Sequence, residues 1–192
     1  MPTKIFESLY LSPRLTALAL VCSVVAAASG FLWGPAGLGV AGAALALSLS
    51  WASFIDIDRF VLPDLITIGL IFVGLALHLS GGLDAVAPFA IGAGGGYLAL
   101  AGVAALHRRT RGHAGLGIGD AKLFAAAGAW LGWAALPSVL LAASAAGLLF
   151  VLGLALVRRR FDKKQRIPFG PFIASGIWAV WLLGPLAGFA AS

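Results

Sequence analysis

Two carboxylates and a glycine-rich turn carry the reactive chemistry of this chain. Asp56 closes an apolar run in WASFIDIDRFVLPD, and Asp120 stands in GLGIGDAK, 64 positions later. A carboxylate that continues an apolar run is costly unless it faces protein, water or a partner. If the two meet, like charges at close range cannot both ionise easily, so the pair shares a proton. The ionised member can then take a proton from a water, while the protonated member polarises a peptide carbonyl and later helps proton transfer to the leaving amine. That is aspartic proteolysis. The same pair would also serve a proton path in a transporter, and composition does not separate the two. A phosphate-binding loop is excluded, because the segment lacks the required glycine and lysine pattern and sets an acid where phosphate charge would sit.

The neighbouring residues suggest supporting roles. Gly115, Gly117 and Gly119 remove side-chain bulk ahead of Asp120, which reads as clearance for an extended substrate backbone. Helix capping by Asp120 is the plainer alternative. Asp58 adjoins Arg59 and reads as a solvated interfacial pair, whereas Asp64 follows Pro63 directly before an apolar run, a good N-cap position. Arg108, Arg109, Arg111 and Lys122 read as topology determinants, with positive charge near Asp120 or lipid contact as a second role. The stretch Pro168, Phe169, Gly170, Pro171 reads as the start of the last helix, with substrate contact as the alternative. His107 and His113 have no metal-site spacing with another His or Cys, so no metal is expected. The single cysteine, Cys22, can build neither a disulfide framework nor a cysteine-ligated zinc site within the chain, and reads as a packing residue.

The elements that must position these groups follow from composition. Of 192 residues, 61% are hydrophobic and only 10% charged, with a mean hydropathy of +1.02. A soluble domain of this size needs far more charge to cover its surface. The reading is therefore an all-α, polytopic membrane helix bundle. The net charge of +6 arises from thirteen Lys and Arg confined to short polar breaks, which suits topology control and contact with anionic lipids rather than nucleic acid.

About seven transmembrane helices are expected in a single domain, 1–192, with spans near 15–33, 38–55, 65–82, 86–106, 121–134, 138–157 and 168–190. The apolar run 123–157 would be about 52 Å long as one helix, too long for one crossing, and Trp133 and Pro137 offer a place to divide it. With the N-terminus cytoplasmic, that division puts Lys4, Arg14, Arg59, the HRRTR run with Lys122, and RRRFDKKQR on the cytoplasmic side, leaving Asp84 as the one charged residue outside. The helix after Asp120 is short, so either the carboxylate is drawn below the headgroups or the bilayer thins there. Gly-rich IGAGGGYLALAG reads as a close helix contact.

Taken together, IDIDRFVLPDLITIGLIFVGL, GLGIGDAKLFAAAGAWLGWAALPSVLLAAS and IPFGPFIASG, in this order, resemble the type IV prepilin leader peptidase family, membrane aspartic proteases with a GxGD motif. LSPRLTAL near the start is similar to the segment before that family's second helix. The resemblance implies that Asp56 and Asp120 are the catalytic aspartates, supported by Gly117, Gly119, Lys122, Asp58, Pro63 and Asp64. It implies an endopeptidase that removes the basic leader from prepilins or pseudopilins at the cytoplasmic face of the bacterial inner membrane, commonly after a glycine and ahead of a hydrophobic helix. No cofactor is needed for cleavage. Bifunctional members carry an extra N-terminal helix and a cytoplasmic domain, often with two CxxC pairs, and N-methylate the product with S-adenosylmethionine. This sequence has neither feature, so the expectation is a compact peptidase, with S-adenosylmethionine relevant only if methyl transfer is retained. The expected partners are precursor peptides and membrane lipids, and the oligomeric state stays open. An inactive scaffold for pilus assembly is one alternative. A proton-coupled transporter is another, although its acidic groups belong near the bilayer midplane rather than at helix ends.

Overall fold

Apolar runs parted by short polar breaks fold as helices because, in lipid, only a closed set of intrahelical bonds satisfies the backbone. The computed structural model describes residues 13–33, 38–111, 117–157 and 167–185. Among these residues the chain forms seven α-helices: α1 (Pro13–Trp33), α2 (Gly39–Arg59), α3 (Asp64–His78), α4 (Leu83–Arg111), α5 (Ile118–Leu131), α6 (Leu136–Val157) and α7 (Gly170–Leu183). The protein is an all-α polytopic membrane bundle.

The core is built around α5. Ten of its 14 residues are buried, from Asp120 to Trp130, and it packs against α3, α4, α6 and α7. A helix that is apolar on every side belongs inside a bundle. On the α4 side the contact runs backbone to backbone: a Cβ added at Gly128 would overlap the main chain of Gly92, and one at Gly92 would sit 2.9 Å from the Gly128 carbonyl. Small residues at such a crossing let two helices approach closely. On the α3 side, Trp130 Nε1 donates to the Leu70 carbonyl at 2.8 Å. The same indole meets Trp181 of α7 edge-on, with ring centroids 5.5 Å apart.

The long run 123–157 is divided where α5 stops. Gly132 adopts φ +80, a left-handed value that glycine reaches without a Cβ penalty. A single 3₁₀ turn, Trp133–Ala135, follows, and α6 opens with Pro137 in its first turn, where a missing N–H costs nothing.

Among the described residues, four helices are long and apolar enough to cross a membrane: Gly39–Arg59, Asp64–Gly81, Leu83–Thr110 and Trp133–Leu156. This is fewer than the seven spans expected from the apolar runs. Helices α5 and α7 have 14 residues each, which reach about 21 Å against a hydrocarbon core of roughly 30 Å. For α5 the physical reason is that protein surrounds it, so its length need not match the bilayer. The expected last span, 168–190, is also shortened, since α7 ends at Leu183 and residues 186–192 lie outside the described ones. Helix α1 packs on α2 and leaves Val21, Val24 and Phe31 exposed. Cys22 is exposed on it as well. It is therefore not the packing residue expected, because among the described residues α1 packs chiefly on α2.

Candidate active site

The end of α2 is set by Phe60, which takes a left-handed conformation (φ 56, ψ 35) and returns its N–H to the Asp56 carbonyl at 2.8 Å. It is the one non-glycine residue with positive φ among the described residues, a conformation that costs an L residue roughly 1–2 kcal/mol. The stop leaves Asp56 in the last turn, turned inward and only 6% exposed. Its Oδ2 accepts the backbone N–H of Gly170 at 3.1 Å.

Gly170 opens α7, with Pro171 in the first turn and the Phe169 carbonyl taking the N–H groups of Phe172 and Ile173. The Pro168 to Pro171 stretch thus shapes a helix start, as expected, but its more specific contribution is a main-chain donor. A Cβ at Gly170 would lie 2.7 Å from Asp56 Oδ2, so a side chain there conflicts with the carboxylate.

Asp120 occupies the first turn of α5 and is 8% exposed. Its Oδ2 accepts the Gly117 N–H at 3.1 Å, so it reaches back to the helix start as in one arm of a capping box. A carboxylate there also meets the positive end of the helix dipole. The capping expectation is met, from the third helical position rather than from the cap itself. The glycines ahead of it serve the chain's own packing. A Cβ at Gly119 would come within 2.9 Å of the Leu62 Cβ, and one at Gly117 within 3.3 Å of the Asp120 carboxylate. Leu62, buried, lies against both Gly119 and Gly170. It wedges between the starts of α5 and α7, so the chain itself fills the room expected beside these glycines for a substrate backbone. Gly115 lies outside the described residues.

Asp56 and Asp120 border one cavity of about 430 Å³, walled also by Phe60, Val61, Leu62, Asp64, Gly117, Ile118, Gly119 and Lys122. All of this sits at one end of the bundle, where α2 finishes and α3, α5 and α7 begin.

The remaining expected residues divide. Lys122 Nζ contacts Asp64 Oδ1 at 2.6 Å, linking the starts of α5 and α3. Asp64 is not the N-cap: Pro63 holds that position, and no side-chain cap bond forms, because the Asp64 carboxylate goes to Lys122 instead. Asp58 and Arg59 pair at 3.7 Å in a partly exposed setting, as their adjacency suggested. Arg108, Arg109 and Arg111 lie in the last turn of α4; Arg108 and Arg109 are not among the described residues that line the cavity, and His113 lies outside the described residues. Among the described residues no three His, Cys, Asp or Glu side chains converge. Phe60, Val61 and Leu62 went unnoticed in the sequence. The available signal was three apolar residues set inside an otherwise polar break.

Residues 43–152 match the type IV leader peptidase family, a stretch that contains both aspartates. The chain is 44% identical over 147 residues to a prepilin leader peptidase/N-methyltransferase of Aeromonas salmonicida, covering 74% of this chain and 50% of that protein. A protein of the same description from Burkholderia pseudomallei is 40% identical over 171 residues, covering 89% and 55%. One from Pseudomonas aeruginosa is 37% identical over 171 residues, covering 88% and 56%. The chain thus spans about half the length of the curated relatives it matches. No solved structure matches it. Two inward-facing aspartates, each held by a backbone N–H at one end of a membrane bundle, thus occur in a chain that belongs to the type IV leader peptidase family.

Proposed function

We propose that this protein is a membrane aspartic endopeptidase that removes the basic leader from prepilins or pseudopilins, with Asp56 and Asp120 as the catalytic pair. The observation that carries the reading is two buried carboxylates, from α2 and α5, on one cavity of about 430 Å³. In this reading the two carboxylates come within reach of one water and share one proton at neutral pH. The ionised carboxylate takes a proton from a water that attacks the scissile carbonyl, and the protonated one donates a hydrogen bond to that carbonyl oxygen. Collapse of the tetrahedral intermediate then sends a proton to the leaving amine. The Gly170 and Gly117 N–H groups fix one oxygen of each carboxylate, so little reorganisation is needed as charge moves.

We place the site at the cytoplasmic face of the bacterial inner membrane, with seven crossings and the N-terminus inside. Arg59, Arg108, Arg109, Arg111 and Lys122 share the end of the bundle that holds the aspartates, and Asp84 begins α4 at the other. That asymmetry follows the positive-inside rule. In this arrangement α5 and α7 are embedded by their neighbours rather than by their own length. The test is whether the purified protein, in lipid, trims a peptide with a basic leader at its junction and whether Asp56→Asn and Asp120→Asn each stop it. Trimming by either variant at the wild-type rate would remove that residue from the mechanism.

A further inference from the structure

One wall of the aspartate cavity is the break between α2 and α3, where Phe60, Val61 and Leu62 all border the space. Local chemistry makes this break short and non-helical. The left-handed Phe60 ends α2 with a single bond from its N–H to the Asp56 carbonyl, a stop that leaves the next N–H outside the helix. Pro63 has no N–H to give, and its ring drives the preceding Leu62 away from helical angles. Val61 and Leu62 therefore belong to neither helix.

Their main chain is open. Among the described residues, the N–H and C=O groups of Val61 and Leu62 have no hydrogen-bond partner. Such groups must be met by water or by another chain. The two residues differ in access. Leu62 is 7% exposed, with its side chain against Gly119 and Gly170, whereas Val61 is 54% exposed. Successive residues of an extended segment turn to opposite faces, so Leu62 anchors the break to the bundle and leaves Val61 accessible.

The same packing restricts where a substrate backbone can lie. Leu62 fills the space beside Gly119, so no second chain passes there. The helix starts that share the cavity offer N–H groups only. Val61 offers a donor and an acceptor on one residue, which is the unit that an antiparallel strand pair exchanges.

We propose that Val61 is a strand edge for the substrate: its N–H donates to, and its C=O accepts from, a single substrate residue beside the scissile bond. This rests on the peptidase reading of the aspartate site. A peptide bond inside a helix has its carbonyl engaged, and the two bonds from Val61 replace intrahelical ones as the substrate is drawn out into an extended line across Asp56 and Asp120. Main-chain pairing holds the substrate whatever side chain the paired residue carries.

The test uses synthetic peptides with a Lys- and Arg-rich leader, a glycine junction and an apolar helix, identical except that one backbone amide near the junction, never the scissile one, is replaced by an ester. Each ester removes one N–H donor. For one position the KM is expected to rise about fivefold with kcat retained, and for the positions immediately before and after it to keep the all-amide value. Val61→Ala retains the main chain and is expected to retain this pattern. A second readout needs no cleavage. In a Cys22→Ala, Asp56→Asn, Asp120→Asn background, Val61→Cys is expected to form a disulfide with a cysteine at the residue that the esters identify, and not with cysteines one position to either side, which face away. Equal KM changes at successive positions, or none at all, overturn the proposal. So does loss of the pattern in Val61→Ala, which would mean that the side chain makes the contact, and so does crosslinking at a different residue or equally at all three. Wild-type protein that cleaves no probe contradicts the peptidase reading instead, and the crosslinking pattern then still decides whether Val61 pairs with a strand.

Discussion

The Asp56 carboxylate accepts the backbone N–H of Gly170 at 3.1 Å, across 114 positions of sequence. One bond thereby ties the end of α2 to the start of α7. Because the donor is main chain, only proline at position 170 would remove it outright; any other side chain there would instead displace the carboxylate with its Cβ.

Gly170→Ala is therefore expected to impair catalysis more than folding. Its Cβ would come within 2.7 Å of Asp56 Oδ2, pushing the carboxylate off its donor. A hydrogen bond to a charged group contributes about 1.5–3 kcal/mol, so kcat for leader removal should fall roughly 10- to 100-fold. Steady-state kinetics in lipid checks this, and a wild-type kcat would show that the Gly170 donor does not matter.

Lys122 and Asp64 form a partly solvated pair, with the Asp64 side chain 63% exposed. Exposed pairs contribute about 0.2–1 kcal/mol. Lys122→Met and Asp64→Asn should each cost no more than that in stability, and the double variant should cost little more than either single one. A double-mutant cycle in detergent unfolding measures the coupling. Full additivity would show that the two side chains do not interact.

The α4 and α5 crossing tolerates no side chain at Gly128, where a Cβ would overlap the Gly92 main chain. Gly128→Leu should destabilise the bundle by at least the roughly 1–3 kcal/mol typical of overpacking. The expected outcome is loss of folded protein from the membrane fraction or a lower unfolding midpoint. Wild-type stability would mean that α4 and α5 do not meet there.

Sidedness is open to thiol labelling in a Cys22→Ala background. A membrane-impermeant reagent applied to intact cells should label Asp84→Cys, at the start of α4. Arg108→Cys, near its other end, should label only after permeabilisation. The reverse pattern would put the aspartate cavity outside the cell.

Much of this architecture could be read from local pattern. Apolar length and the Trp133 and Pro137 signals located the break after α5, and adjacency alone suggested the Asp58 and Arg59 pair. What escaped was long-range. Nothing near Gly170 indicates that its N–H meets Asp56, and the glycines before Asp120 gave no sign that Leu62 would fill the space beside them. The short α5 suggested either a carboxylate drawn below the headgroups or a thinned bilayer, because a sequence does not show how many neighbours a helix has. Likewise Asp64 had the local credentials of a cap, and lost that role to an ion pair with a residue 58 positions away.

Whether Asp56 and Asp120 act as one catalytic unit is measured most directly by the leader-cleavage rates of Asp56→Asn, Asp120→Asn and the double variant, on folded protein in lipid. Groups that act together are strongly non-additive. Each single variant is expected to lose about 10³-fold or more in kcat, with the double variant no slower than the slower single. A single variant that cleaves at the wild-type rate, or losses that multiply in the double variant, would contradict a shared site.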